Sequence, residues 1–356
     1  MSYLIMNESQ VIELLKKIKY PGFSRDIVSF GIIANATLEE SFVKVGLELT
    51  AQDPKIPQQL KKEIESLLLE EKDISNVEVE IKNKFEEQKT GNQVNTPNKL
   101  EGVKSIIAVA SGKGGVGKST ISANLACALS KVLAETAYGQ PKVGLMDCDV
   151  YGPSIPQLMG SWDSPTLVEE NIISPVVNYG VKIISMGLLV DEESPIVWRG
   201  PMIMKTIQQF TSNVDWGELD VLLIDLPPGT GDAQLSLTQI LALDGVIIVT
   251  TPQKTAFDVA KRGARMFEKV NVPYLGVVEN MSYFVNPQNE ERSYPFGQGG
   301  GQVVADDLKT NLLAEIPLDE EIRMGGDHGV PIVIADPKHP ASQEFLSLAE
   351  RLVKKD

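Results

Sequence analysis

Hydrophobic positions fall into two regimes along the 356-residue chain. Over residues 1–85 they are sparse and periodic. Val11, Ile12, Leu14, Leu15 and Ile18 follow helical spacing, and Tyr20-Pro21-Gly22 predicts the end of that helix. DIVSFGIIANATL and SFVKVGLELTA predict two strands joined by an acidic turn. PQQLKKEIESLLLEE predicts an amphipathic helix with Leu60, Ile64, Leu67 and Leu68 on one face, and NVEVEIKN alternates as a last strand. This order makes residues 1–85 a small α+β domain. Residues 86–104 lack periodicity and are rich in Asn, Gln, Lys and Glu, the composition of a linker. Over residues 105–356 the pattern changes to nearly continuous apolar runs that alternate with helical segments: Ile106 to Ala110, KVGLMDCD, VKIISMG, LDVLLIDLP, GVIIVTTP and YLGVVENMS. Such runs predict an α/β domain, a mainly parallel sheet covered by helices on both faces. The ligand site of such a sheet lies beyond the C-terminal ends of its strands.

The first of those ends carries the clearest chemistry. The run Ile106 to Ala110 breaks at Ser111 into Gly112-Lys113-Gly114-Gly115-Val116-Gly117-Lys118-Ser119-Thr120, and an Ala/Leu-rich helical segment follows. Strand, glycine loop and helix form the context of a phosphate-binding P-loop. Glycines let successive backbone N–H groups turn toward a polyphosphate, and the next helix points its positive end at the same anion. Lys118 is placed to reach the β- and γ-phosphates, and Ser119 to ligate Mg²⁺ through its hydroxyl. The nine residues from Gly112 to Thr120 are the candidate nucleotide contacts.

Two further strand ends carry carboxylates. Asp147-Cys148-Asp149 precedes a Gly-Pro-Ser loop, where Asp149 is the candidate for orienting an attacking water, with Asp147 as its partner. Asp225 ends VLLID, the Walker B arrangement, which holds Mg²⁺ through a bound water, and the following Pro-Pro-Gly-Thr-Gly-Asp232 suits a loop that senses the γ-phosphate. Asn280, read as ending a strand next to the P-loop strand, is a candidate for donating to and accepting from the adenine edge; the alternative is an Asn that closes a turn.

G-K-G-G-V-G-K-S resembles the deviant Walker A loop of the MinD/ParA/Mrp ATPases, and D-x-D-x-x-G-P-S and D-L-P-P-G-T-G-D resemble the two switch loops of the Mrp/ApbC branch. With Trp198-Arg199-Gly200-Pro201-Met202, Glu279-Asn280-Met281-Ser282 and Tyr294-Pro295-Phe296-Gly297, the resemblance runs from about Leu100 to the C-terminus. It implies a P-loop NTPase fold, an ATP-dependent homodimer in which Lys113 crosses to the partner's nucleotide, and a task in iron–sulfur cluster assembly or transfer with apoproteins or assembly factors as partners. Residues 1–85 resemble the small domain placed ahead of such ATPases, but lack its Asp-Pro-Glu, with Tyr20-Pro21-Gly22 there, and its cysteine, with Gln52-Asp53-Pro54 in that region. The largest departure is the Cys-x-x-Cys that cluster-carrying relatives place after E-N-M-S: those two positions are Asn286 and Asn289. A neutral amide oxygen is a poor substitute for thiolate at cluster iron, so no iron–sulfur ligands are assigned and a bound cluster is doubtful.

Composition narrows the field further. A net charge of −15 argues against a nucleic-acid partner. No apolar stretch approaches a membrane span or a signal peptide, which predicts a cytoplasmic protein without a membrane partner. The stripe Phe345, Leu346, Leu348 and Leu352 of the terminal helix predicts packing against the ATPase domain, not the membrane binding of a MinD-type terminal helix. Cys127 and Cys148 read as structural, and His328 and His339 as exposed loop residues. The reading is a Mg-dependent ATPase. Its alternatives are an ATP-gated dimeric switch that docks partners without a cluster, and a MinD/ParA-like positioning ATPase.

Overall fold

The computed structural model describes residues 8–19, 26–28, 32–39, 41–49, 55–71, 74–83, 100–134, 142–149, 152–169, 172–188, 200–229, 234, 237–238 and 240–354. The chain forms two compact units, Met1–Val94 and Asn95–Asp356.

In the first unit, α1 (Glu8–Leu15) precedes β1 (Ile33–Glu39) and β2 (Phe42–Leu49), then α2 (Lys55–Leu69) and β3 (Asn76–Asn83). β1 and β2 are antiparallel, β2 and β3 parallel. A parallel pair needs a crossover, which α2 supplies. Val43, Val45 and Leu47 point to one face of β2 and are buried with Val11, Leu15, Leu60, Ile64 and Leu68. Two boundaries differ from expectation. The first helix stops at Leu15, and Ile18 is buried from the tight turn that follows, where Lys17 and Ile18 donate to carbonyls three residues back. The first strand starts at Ile33 and not at Asp26, which pairs with Lys19 in an isolated bridge. Tyr20-Pro21-Gly22, Gln52-Asp53-Pro54 and the linker residues 86–99 lie outside the described residues.

The second unit opens with β4 (Val103–Ser111), whose first residues fall inside the stretch read as linker, then α3 (Lys118–Ala134) and β5 (Val143–Asp147). α4 (Ile155–Leu158), β6 (Thr166–Glu169), β7 (Ile172–Ser174), β8 (Val176–Asn178) and β9 (Val181–Ser185) follow. Next come α5 (Gly200–Ser212), β10 (Leu219–Asp225), β11 (Gly245–Thr250), α6 (Lys254–Lys269) and β12 (Tyr274–Glu279). A small hairpin, β13 (Phe284–Val285) and β14 (Arg292–Ser293), leads to α7 (Gly300–Asp307), β15 (Leu312–Glu315), α8 (Glu320–His328), α9 (Ile332–Ala335) and α10 (Pro340–Val353). The main sheet has the order β15-β12-β11-β4-β10-β5-β9-β8, parallel throughout except for the β8–β9 pair. This is the P-loop NTPase fold.

Side-chain alternation along β4 explains why its run is apolar throughout. Ile107 and Val109 enter one core with α3 and with Phe345 and Leu348 of α10, while Ile106, Ala108 and Ala110 enter the other with Phe210 and Phe267. The terminal helix thus packs its apolar stripe on α3, beginning at Pro340. His339 is not a free loop residue: its Nδ1 accepts from the Ala341 N–H and caps that helix, whereas His328 is the exposed last residue of α8.

Candidate functional site

Asp147 and Asp225 pair in register at the C-terminal ends of β5 and β10, and β4 ends beside them at Ser111. The P-loop fills the gap from Ser111 to the first residue of α3, Lys118. Gly117 sits at φ +79°, and a Cβ there would lie 2.1 Å from Asn280 Nδ2. That nitrogen donates to the Val116 carbonyl at 2.9 Å, so Asn280 is fastened to the loop it touches. Gly117→Ala should therefore both strain the left-handed backbone and break this bond, a loss of roughly 1–3 kcal/mol. Thermal unfolding with and without ADP checks it: the variant should melt earlier and lose most of the shift given by ADP.

Lys118, Ser119 and Asp225 converge on one another. Lys118 Nζ is 2.6 Å from Asp225 Oδ2 and 3.2 Å from Ser119 Oγ, and Ser119 Oγ donates to the same carboxylate oxygen at 2.7 Å. Ser122 Oγ donates to Oδ1 at 2.6 Å. Ser122 was missed from sequence, although it lies on the same helix face as Ser119, three residues on. Lys118 and Asp225 are 5% and 0% exposed, so this is a fully buried ion pair.

Asp147 is an anchor. Completely buried, it accepts from the Asp149 N–H at 3.0 Å, the Ile155 N–H at 3.4 Å and Ser185 Oγ at 2.9 Å, tying down the loop that follows β5. Burial, reinforced by the Asp225 carboxylate, pushes its carboxyl up to about 7. Asp149 is half-buried and lines a 260 Å³ cavity with Ser111, the P-loop from Lys113 to Thr120, and Pro228. The Gly229 N–H donates to the Ser111 carbonyl at 3.0 Å, which joins the start of the second switch loop to the P-loop. Asp232 and the rest of that loop lie outside the described residues.

A second cavity of 590 Å³ shares Gly117, Thr120, Ser154 and Leu158 with the first. Its apolar walls include Met281, Phe284, Pro317, Leu318 and Ile322, and Asn280 lies between it and the P-loop. The smaller space is lined mainly by the glycine loop, and the larger by apolar side chains together with Asp319, Glu320, Arg323 and Asp327. One expectation needs correction: β12 is not the neighbour of the P-loop strand, because β11 lies between them. Asn280 reaches the loop across that strand. Glu279 beside it, read only as part of a motif, is completely buried and accepts from Ser282 Oγ and the Gly301 N–H, holding the start of α7.

Asn286 and Asn289 sit in the loop of the β13–β14 hairpin. Asn286 Oδ1 accepts from the Gln288 N–H at 2.9 Å and Asn289 Oδ1 from the Glu291 N–H at 3.1 Å, two Asx turns that shape the loop. Arg292 stacks on the Tyr283 ring at 4.0 Å and holds the hairpin base. Among the described residues, no group of three or more His, Cys, Asp and Glu could hold a metal ion. Both cysteines are buried, Cys127 with its thiol raised to about 12 and Cys148 raised well above the usual range, in each case chiefly by burial. Neither should react with a thiol reagent such as DTNB in the native protein, and both should after denaturation in guanidinium.

The family model described as "ParA: NUBPL iron-transfer P-loop NTPase" matches residues 102–353, and that of an iron–sulfur cluster assembly protein matches residues 8–81. The iron–sulfur cluster carrier protein of Helicobacter pylori is 39% identical over 98% of this chain and 92% of its own length. A mitochondrial iron–sulfur protein of Arabidopsis thaliana, required for NADH dehydrogenase, is 49% identical over 76% of this chain and 84% of its own. Among solved structures, a nucleotide-binding protein of Archaeoglobus fulgidus in complex with ADP is 38% identical and covers 69% of this chain and 93% of its own, with a TM-score of 0.58.

Proposed function

We propose that this chain, which belongs to the NUBPL iron-transfer P-loop NTPase family, binds and hydrolyses Mg-ATP to drive a step of iron–sulfur cluster assembly or transfer. The observation that carries the ATPase reading is the convergence of Lys118, Ser119 and Asp225 within 2.6–3.2 Å, with Lys118 and Ser119 in the wall of the 260 Å³ cavity. The hydroxyl and carboxylate are hard oxygen donors and fit Mg²⁺, with Asp225 acting through a bound water. When bound, that ion would neutralise charge developing on the phosphates. Lys118 adds a second positive charge, the backbone N–H groups of the loop hold the phosphate chain, and the carboxylate of Asp149 orients the attacking water. Lys113, half-buried on the wall of the smaller cavity, serves the partner's nucleotide in an ATP-bound homodimer.

Iron–sulfur cluster is the cargo of this reading, passed to apoproteins or assembly factors. The hairpin favours a form of it in which the chain acts as an ATP-gated partner-docking switch and supplies no thiolates at residues 286 and 289. A positioning role of the MinD kind has less support, because α10 spends its apolar stripe on the core. Phosphate release from ATP by the purified full chain, with Mg²⁺ and with EDTA, tests the reading. Mg-dependent release is expected, and absence of both release and nucleotide binding would overturn it.

A further inference from the structure

α6 is a basic helix in an acidic chain. It bears Lys254, Lys261, Arg262, Arg265 and Lys269 against Asp258 and Glu268, while the whole chain has a net charge of −15. At the helical repeat the five basic positions fall within an arc of roughly 120° and run about 22 Å along the axis. The opposite side, with Ala260, Ala264 and Phe267, is buried in one of the two sheet cores. Neighbouring carboxylates take only part of the charge: Lys261 lies 3.7 Å from Asp258, and Arg265 3.3 Å from Asp307 of α7. Lys254, Arg262 and Lys269 are exposed, and among the described residues none of them pairs with a carboxylate. α7 adds an apolar element. A Cβ on its first residue, Gly300, would lie 2.8 Å from the Phe257 ring, and its last residue, Asp307, meets Arg265, so the two helices run alongside each other in one direction. Val303, one turn before Asp307 on the same face, therefore stands beside the middle of α6, and it is 44% exposed. We propose that the basic stripe and Val303 form a docking surface for an acidic, amphipathic segment of a partner protein.

Charge and screening decide the kind of partner. At physiological ionic strength a surface charge is felt over about 8 Å, so a segment lying along α6 meets its cations and is screened from distant carboxylates. A nucleic-acid duplex or a lipid surface is wider than the stripe. It would press its phosphates onto the exposed carboxylates that flank it, Glu268 and Asp306, as well. Val303 offers an apolar residue of the segment a contact from which water is excluded, and a bare polyanion has no use for it. The inference rests on the partner-docking form of the function above and names the surface that form needs. α6 is also in direct contact with the glycine loop, since a Cβ on Gly112 would lie 2.5 Å from the Ala260 amide nitrogen. A partner held on α6 is thus one helix away from the nucleotide loop.

The probe is a fluorescein-labelled synthetic peptide of Glu and Leu at helical spacing, with Glu along one side and Leu along the other. A scrambled peptide of the same composition is its control, and both are titrated with the full chain by fluorescence anisotropy. The ordered peptide should bind, and its binding should weaken as salt is raised. Lys254→Glu/Arg262→Glu/Lys269→Glu should lower the affinity by on the order of tenfold or more. Val303→Asp should bring the ordered peptide down to the level of the scrambled one. All four positions are exposed, so both variants should keep the melting temperature and the phosphate release of the unmodified chain. If the charge reversal does not fold, the neutral Lys254→Gln/Arg262→Gln/Lys269→Gln variant takes its place. No binding of the ordered peptide by the unmodified chain, or equal binding by the charge variant, overturns the surface. Binding of a DNA duplex or of phosphatidylserine vesicles that matches the peptide's and is lost in the same variant overturns the assignment to a protein partner. A chain that binds the peptide through α6 but releases no phosphate from ATP refutes the ATPase reading and leaves the docking surface standing.

Discussion

Lys118→Ala should abolish ATP binding, whereas Lys113→Ala should leave most of the binding and remove hydrolysis and ATP-dependent dimerisation. The two lysines of the loop stand in different surroundings. Lys118 is buried, bonded to Asp225 and Ser119, and lines the 260 Å³ cavity. On the proposed reading its loss removes a buried cationic contact to the phosphates, the kind of positioned electrostatic group worth about 10²–10³ in rate. It also leaves the Asp225 carboxylate in the interior with only the hydroxyls of Ser119 and Ser122, at a cost of about 3–5 kcal/mol. The variant should therefore melt well below the unmodified chain. Lys113 is half-buried on the cavity wall, and its removal should change stability by no more than about 0.5 kcal/mol. Titration of a fluorescent ATP analogue against both variants, with sedimentation in ATP for the dimer, separates the roles. Equal loss of binding in the two would refute the division.

The parts of the fold that were legible in the sequence are those buried on both sides. β4, β5, β9, β10, β11 and β12 stand out as apolar runs because each strand feeds a core above and a core below the sheet, as Ile107 and Ile106 do. The two edge strands did not, since β8 and β15 have three and four residues and are too short to show a period. Strand order was equally hidden. β11 follows β10 in the chain but lies on the other side of β4, which is why Asn280 ends a strand one place further from the loop than expected. The motifs led to Lys118, Ser119 and Asp225, and the fold brings these three side chains into contact. Residue chemistry was missed where a polar residue hides in an apolar setting, at Ser122 and Glu279. Asp147 and Asp149 show the limit between them: the pair is visible, but only packing reveals that Asp147 is enclosed while Asp149 faces the cavity.

Anaerobic reconstitution of the unmodified chain with iron and sulfide, followed by desalting, should leave little iron and no thiolate–iron absorption near about 400 nm. The hairpin gives the reason in its bonds. Both amide oxygens are spent within the loop, Asn286 Oδ1 on the Gln288 N–H and Asn289 Oδ1 on the Glu291 N–H, and Asn289 Nδ2 donates to Glu291 Oε2 at 2.9 Å. These are neutral, hard groups that cluster iron does not favour. The thiols of the chain offer no substitute, because Cys127 and Cys148 are enclosed in the two cores on either side of the main sheet. The backbone of the loop is held independently of the amides: Asn286 N–H donates to the Glu291 carbonyl at 2.9 Å, and Glu290 N–H to the Asn286 carbonyl at 2.8 Å. Asn286→Cys/Asn289→Cys should therefore keep the hairpin, at a cost of about 1 kcal/mol for each lost turn bond, and gain oxygen-sensitive cluster. Stoichiometric cluster in the unmodified chain would overturn this reading and direct attention to a partner's thiols. Absence of cluster from both proteins would leave ligand geometry at the hairpin unlike that of the carriers, and would favour the ATP-gated switch that docks partners without holding the cargo itself.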